Sequence, residues 1–85
     1  MARGLRKSAH TDEQFVFCAL MIKARKQAGL TQSELAQRLR RPQSFVAKYE
    51  SGERRLDVVE FVAIASAIGA DPLKLLRSLI HQSQG

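Results

Sequence analysis

Helix start signals recur along this chain every few turns, and glycine stops fall between them. Thr11 with Gln14, Thr31 with Glu34, and Asp57 with Glu60 all have the spacing at which two side chains reciprocally satisfy free N–H groups at a helix start. Asp71 followed by Pro72 is a further start, a cap before a residue preset for the first turn. Gly29, Gly52 and Gly69 each lie just beyond an apolar-periodic stretch, where a helix ends. The punctuation predicts helices at 12–28, 32–39, 43–50, 58–68 and 72–81. No segment alternates with a period of two, so the expected fold is all-α, a compact domain of five helices.

Helices this short must each bury one stripe. Leu35, Ala36 and Leu39 form it in the second helix, and Val46 and Tyr49 in the third. Val58, Phe61, Val62 and Ala65 are expected to form it in the fourth, and Leu73, Leu76, Leu79 and Ile80 in the fifth. The first helix is apolar on two sides. Phe17, Leu20, Met21 and Ala24 make one face, and Phe15, Cys18, Ala19 and Ile22 a nearly opposite one. One face belongs to the core, and the other to the C-terminal helix or a second subunit.

A chain of 85 residues holds one domain. The expected divisions are a basic arm at 1–10, a helical domain at 11–81 and a short tail at 82–85. Fourteen Lys and Arg against eight Asp and Glu leave a net charge of +6, which favours nucleic acid or an acidic membrane surface. Membrane binding fits poorly, because the charges gather around a turn and a loop instead of along one amphipathic helix. The single cysteine, Cys18, allows no internal disulfide, and a reducing cytoplasm is expected. His10 and His81 are distant from it and from each other, so no metal set is formed and no cofactor is expected. There is no Gly-rich phosphate loop and no nucleophile–base pair, which argues against an enzyme.

The most informative stretch is Thr31 to Gly52, TQSELAQRLRRPQSFVAKYESG, two short helices around a tight turn with small Ala36 where their axes approach. Gly29-Leu30-Thr31-Gln32 with Glu34-Leu35-Ala36, then Gln43-Ser44 and Glu50-Ser51-Gly52, resemble the helix-turn-helix of the lambda-repressor-like (Cro/XRE) family. The resemblance extends from the first helix through the fifth. Arg40 departs from the pattern, standing in the turn where the family usually has glycine. It implies either a strain of about 1 kcal/mol or a different turn. Pro42 replaces the usual Ser or Thr cap.

The resemblance implies double-stranded DNA as the partner, with the third helix in the major groove and the second across the backbone. Gln43 and Ser44 are then the leading base readers, and Lys48 reaches a guanine or a phosphate. Phe45 either presses on a thymine methyl or packs on Tyr49 one turn along. Gln32 matches the family's phosphate-clamping glutamine, and helix N-terminal amides add to that contact. Arg38, Arg40, Arg41, Arg54 and Arg55 flank the recognition helix as expected phosphate contacts. By the same resemblance, Glu50 pairs with Arg25 in a structural role.

Related domains bind two half-sites as two-fold dimers. Helix five carries more apolar surface than a small core needs, so Leu73, Leu76, Leu79 and Ile80 are the expected homodimer interface, with Phe15, Cys18 and Ile22 as further candidates. The alternative places both stripes within one monomer core. The expected function is a bacterial or phage transcriptional regulator, most simply a repressor. The competing function is an antitoxin or adapter acting through a protein partner, since one fold hosts many functions. The few residues outside the helices weigh mildly against it.

Overall fold

The computed structural model describes residues 12–84, which form α1 (Asp12–Gln27), α2 (Gln32–Leu39), α3 (Gln43–Ser51), α4 (Val58–Ile68) and α5 (Pro72–Gln84). The basic arm and the Thr11 half of the first capping box lie outside the described residues. The other two capping boxes are complete. Thr31 Oγ1 accepts from Glu34 N at 3.0 Å and the Glu34 carboxylate accepts from Thr31 N at 2.9 Å. Asp57 and Glu60 repeat the exchange at 2.7 and 3.0 Å. Asp71 Oδ1 accepts from Leu73 N at 2.9 Å, so α5 also starts on a side-chain cap. Pro42 caps α3 without a side-chain bond.

Helix α5 runs on to Gln84 instead of stopping at 81, because His81-Gln82-Ser83-Gln84 contains neither glycine nor proline. The residues expected to form a tail are therefore mostly helix.

Three helices end on the same paired backbone bonds. After α1, Leu30 N reaches Arg25 O at 3.2 Å and Gly29 N reaches Lys26 O at 2.9 Å. After α4, Ala70 and Gly69 do the same to Ala65 and Ser66. After α2, Arg41 N bonds Ala36 O at 3.0 Å and Arg40 N bonds Gln37 O at 3.1 Å. This ending needs one residue in the left-handed region. Glycine supplies it twice, and Arg40 supplies it in the tight turn, at φ 59° and ψ 42°. Of the two alternatives the sequence left, the turn takes the first: Arg40 adopts the left-handed conformation and carries the strain.

Tyr49, Met21, Leu35, Ile64 and Val46 are the largest side chains fully removed from solvent. Each aliphatic one contributes about 1.5–3 kcal/mol by burial. Phe17 of α1 meets Phe61 of α4 with ring centroids 5.8 Å apart, and Leu75 brings α5 onto the core.

Two expectations fail here. The buried face of α4 is Phe61, Ile64, Ala65 and Ile68, whereas Val58 and Val62 are 75% and 47% exposed. A helix reading VVEFVAIASAI is apolar nearly all round, so its pattern alone does not select a face. Cys18, a further candidate for the dimer face, is not available to a second subunit. It is buried in the monomer, and its S–H donates to Tyr49 O at 3.4 Å.

Candidate nucleic-acid interface

The recognition unit hangs on a buried ion pair between α1 and α3. Arg25 Nε and Nη2 donate to Glu50 Oε2 and Oε1 at 2.7 and 3.0 Å, and Arg25 Nη1 donates to Leu30 O at 2.8 Å. Glu50 holds the guanidinium charged, raising the Arg25 pKa further above its ordinary value. The pair fixes the end of α1 to the end of α3, as the family resemblance implied.

The network then continues outward. Gln32 Nε2 donates to Glu50 Oε1 at 2.9 Å, and Gln43 Nε2 donates to Gln32 Oε1 at 3.2 Å. Ser33 Oγ donates to Gln43 Oε1 at 3.4 Å. Side chains from the starts of both α2 and α3 are thereby tied to one buried carboxylate. Sequence reasoning assigned Gln32 to a phosphate and Gln43 to a base, but missed that they bond each other. Two glutamines at the starts of adjacent short helices were the available signal.

Gln43, Ser44 and Lys48 are exposed on the outer side of α3, while Val46, Tyr49 and Glu50 face inward. Phe45 takes the packing alternative. It is 8% exposed and meets Tyr49 edge-on with centroids 5.4 Å apart, so little of its ring is left for a thymine methyl. Arg41 and Arg54 both lie over it, their Cζ atoms 4.4 and 4.9 Å from the ring centroid.

The arginines divide by what holds them. Arg38 Nη1 donates to Ala67 O at 2.8 Å, placing its charge at the C-terminal end of α4, where a cation offsets the helix dipole. That is a structural contact which the sequence reading did not foresee. Arg54 is committed to Glu60, with Nη1 to Oε1 at 3.0 Å and Nη2 to Oε2 at 2.8 Å, and Nη1 also reaches Arg55 O at 2.9 Å. Arg41 stands 3.7 Å from the same Glu60 oxygen. Arg54 first, then the Asp57 backbone N–H, pulls the Glu60 carboxyl down to about 2. Arg40 and Arg55 are exposed and pair with no side chain among the described residues.

On α5, Leu73 and Ile80 are 67% and 57% exposed and Leu76 is 39% exposed, a stripe one helical face wide, with Leu79 half-buried beside it. Phe15 of α1 is also largely exposed, and Ile22 is half-buried. Among the described residues no group of acidic, His and Cys side chains is placed to hold a metal, and no helix is long and apolar enough to cross a membrane.

Comparison with known proteins agrees with this arrangement. A helix-turn-helix family model matches residues 21–75, the span from the middle of α1 into α5. Among solved structures, the chain is similar to an XRE-family like protein from Pseudomonas syringae pv. tomato str. DC3000, with 50% sequence identity and a TM-score of 0.78. That match covers 82% of this chain and 85% of the other. No curated protein matches the sequence. With this match and the helix-turn-helix geometry together, the chain belongs to the Cro/C1/XRE-type helix-turn-helix family of DNA-binding transcription regulators.

Proposed function

We propose that this protein is a sequence-specific double-stranded DNA-binding regulator that places α3 in the major groove and represses by occluding a promoter as a homodimer. The observation that carries the base-reading role is the state of Gln43. Its amide uses one N–H on Gln32 and one acceptor site on Ser33. One donor and one acceptor remain on the same amide, the complement of adenine N6 and N7. The bonds to Gln32 and Ser33 hold the group before DNA arrives, so less side-chain freedom is lost on binding.

Ser44 and Lys48 are the accompanying base contacts. Gln32, Arg40, Arg41 and Arg55 are the phosphate contacts, with Arg38 and Arg54 assigned to support. The exposed stripe of Leu73, Leu76 and Ile80, edged by Leu79, is the proposed dimer surface. It would join two recognition helices about one DNA turn apart. The setting proposed with this function is cytoplasmic, in a bacterial or phage-encoded system.

Replacing Gln43 with Ala tests the assignment. On the preferred site it should cost about 1–3 kcal/mol and relax preference at one base position. Uniform weakening on all sequences would remove Gln43 from base reading. The antitoxin or adapter alternative predicts instead that a protein partner binds more tightly than any duplex.

A further inference from the structure

Two guanidiniums compete for one carboxylate at the edge of the recognition helix. Glu60 offers Arg54 a bidentate seat, while Arg41 stands 3.7 Å from Oε2, outside hydrogen-bond distance. The Arg41 side chain is 45% exposed and lies over Phe45, which sits two residues after Gln43. The Glu60 side chain is only 15% exposed. Its oxygens already receive Arg54 and the Asp57 N–H.

We propose that Arg54 is a positioning residue: by occupying Glu60 it leaves Arg41, resting on the Phe45 ring, available to a DNA phosphate beside the start of α3. This rests on the DNA-binding function proposed above. A carboxylate gives its two-oxygen geometry to one guanidinium at a time. With Arg54 present, the cluster of two cations and one anion keeps a net positive charge on its outer member. Without Arg54, the free oxygens of Glu60 draw Arg41 in and neutralise it. The ring limits where Arg41 goes, since a cation over an aromatic face is held without losing its N–H donors. Arg54 thus acts on DNA through Glu60 and Arg41, without touching it.

The test compares the salt dependence of binding to a preferred duplex for wild type, R41A, R54A and R54A/E60Q, with thermal unfolding run on each. R41A should lower the steepness with which log K falls against log salt by about 0.9, the loss of one phosphate contact. R54A should lower it by about as much, and R54A/E60Q should restore the wild-type slope. A double variant that stays as low as R54A would overturn the proposal, because Arg54 itself would then be the phosphate contact. An unchanged slope in R54A would overturn it equally.

A second readout needs no DNA, which separates this proposal from the DNA-binding function. Carboxyl NMR titration of Glu60 should show that removing Arg41 raises the midpoint more in the R54A background than in wild type, because Arg41 replaces the missing partner. Equal rises in the two backgrounds would refute the exchange whether or not the protein binds DNA.

Discussion

Arg25 and Glu50 form a two-bond ion pair, 2.7 and 3.0 Å long, with side chains only 10% and 4% exposed. Glu50 also accepts from Gln32, which in turn accepts from Gln43. A buried structural pair is therefore one side chain away from the residue proposed to read a base. Removing Glu50 alone leaves the Arg25 charge buried and should cost about 3–5 kcal/mol. Urea unfolding of E50A measures this. Replacing both partners with apolar residues of similar volume should cost much less, and equal losses in the single and double variants would contradict the role of the pair.

The turn between α2 and α3 offers a stabilising change. Arg40 is the only non-glycine among the described residues with positive φ. Arg40→Gly should raise stability by about 1 kcal/mol, since glycine enters this region without the steric cost. Its DNA affinity should fall at the same time through loss of one exposed charge. Parallel unfolding and binding curves separate the two effects.

Tyr49 is 2% exposed, and its hydroxyl has no hydrogen-bond partner among the described residues. Burial raises its pKa, so it stays protonated. An unpaired buried hydroxyl costs about 1–3 kcal/mol. Tyr49→Phe should therefore keep or raise the unfolding midpoint, and a loss above about 1 kcal/mol would mean that the hydroxyl is satisfied.

Acid should release the Glu60 clamp. The folded carboxyl sits near 2 against an ordinary 4.5, so its stabilisation is complete above the ordinary value and disappears as pH falls from there through about 2. Thermal unfolding of wild type and E60Q should differ at neutral pH and converge below about pH 2. A gap independent of pH would show that charge is not what the clamp supplies.

The proposed dimer surface is separable from folding. Leu73 and Ile80 are more than half exposed, so Ile80→Asp should leave helix content and the monomer core intact while abolishing dimers in sedimentation. A Leu35→Ala variant marks the contrast, since that side chain is fully buried and its truncation should cost about 2–5 kcal/mol.

Much of this was legible in the sequence because helix ends are local chemistry. Thr31 with Glu34, and Asp57 with Glu60, bond as their spacing implied, and the glycines after α1 and α4 end those helices. The face of α4 was not legible, because Val58, Val59 and Val62 are as apolar as the residues that pack. Which arginines are free was also hidden. Arg38 meets a carbonyl twenty-nine positions away, and Arg54 meets Glu60 only through the bend between α3 and α4. Charge counts see six basic residues from Arg38 to Arg55. Only the fold separates those held by a carbonyl or a carboxylate, such as Arg38 and Arg54, from those that pair with no side chain among the described residues, such as Arg40 and Arg55.

The most direct test of the central claim is selection of binding sites from a random duplex pool, with the selected duplexes retested against nonspecific DNA over a salt series. The account predicts a two-fold symmetric site whose half-sites lie about one helical turn apart, with a specificity ratio that persists as salt rises. Binding that is weak, indifferent to sequence and lost steeply with salt would contradict it, leaving only the attraction of a basic surface for phosphate.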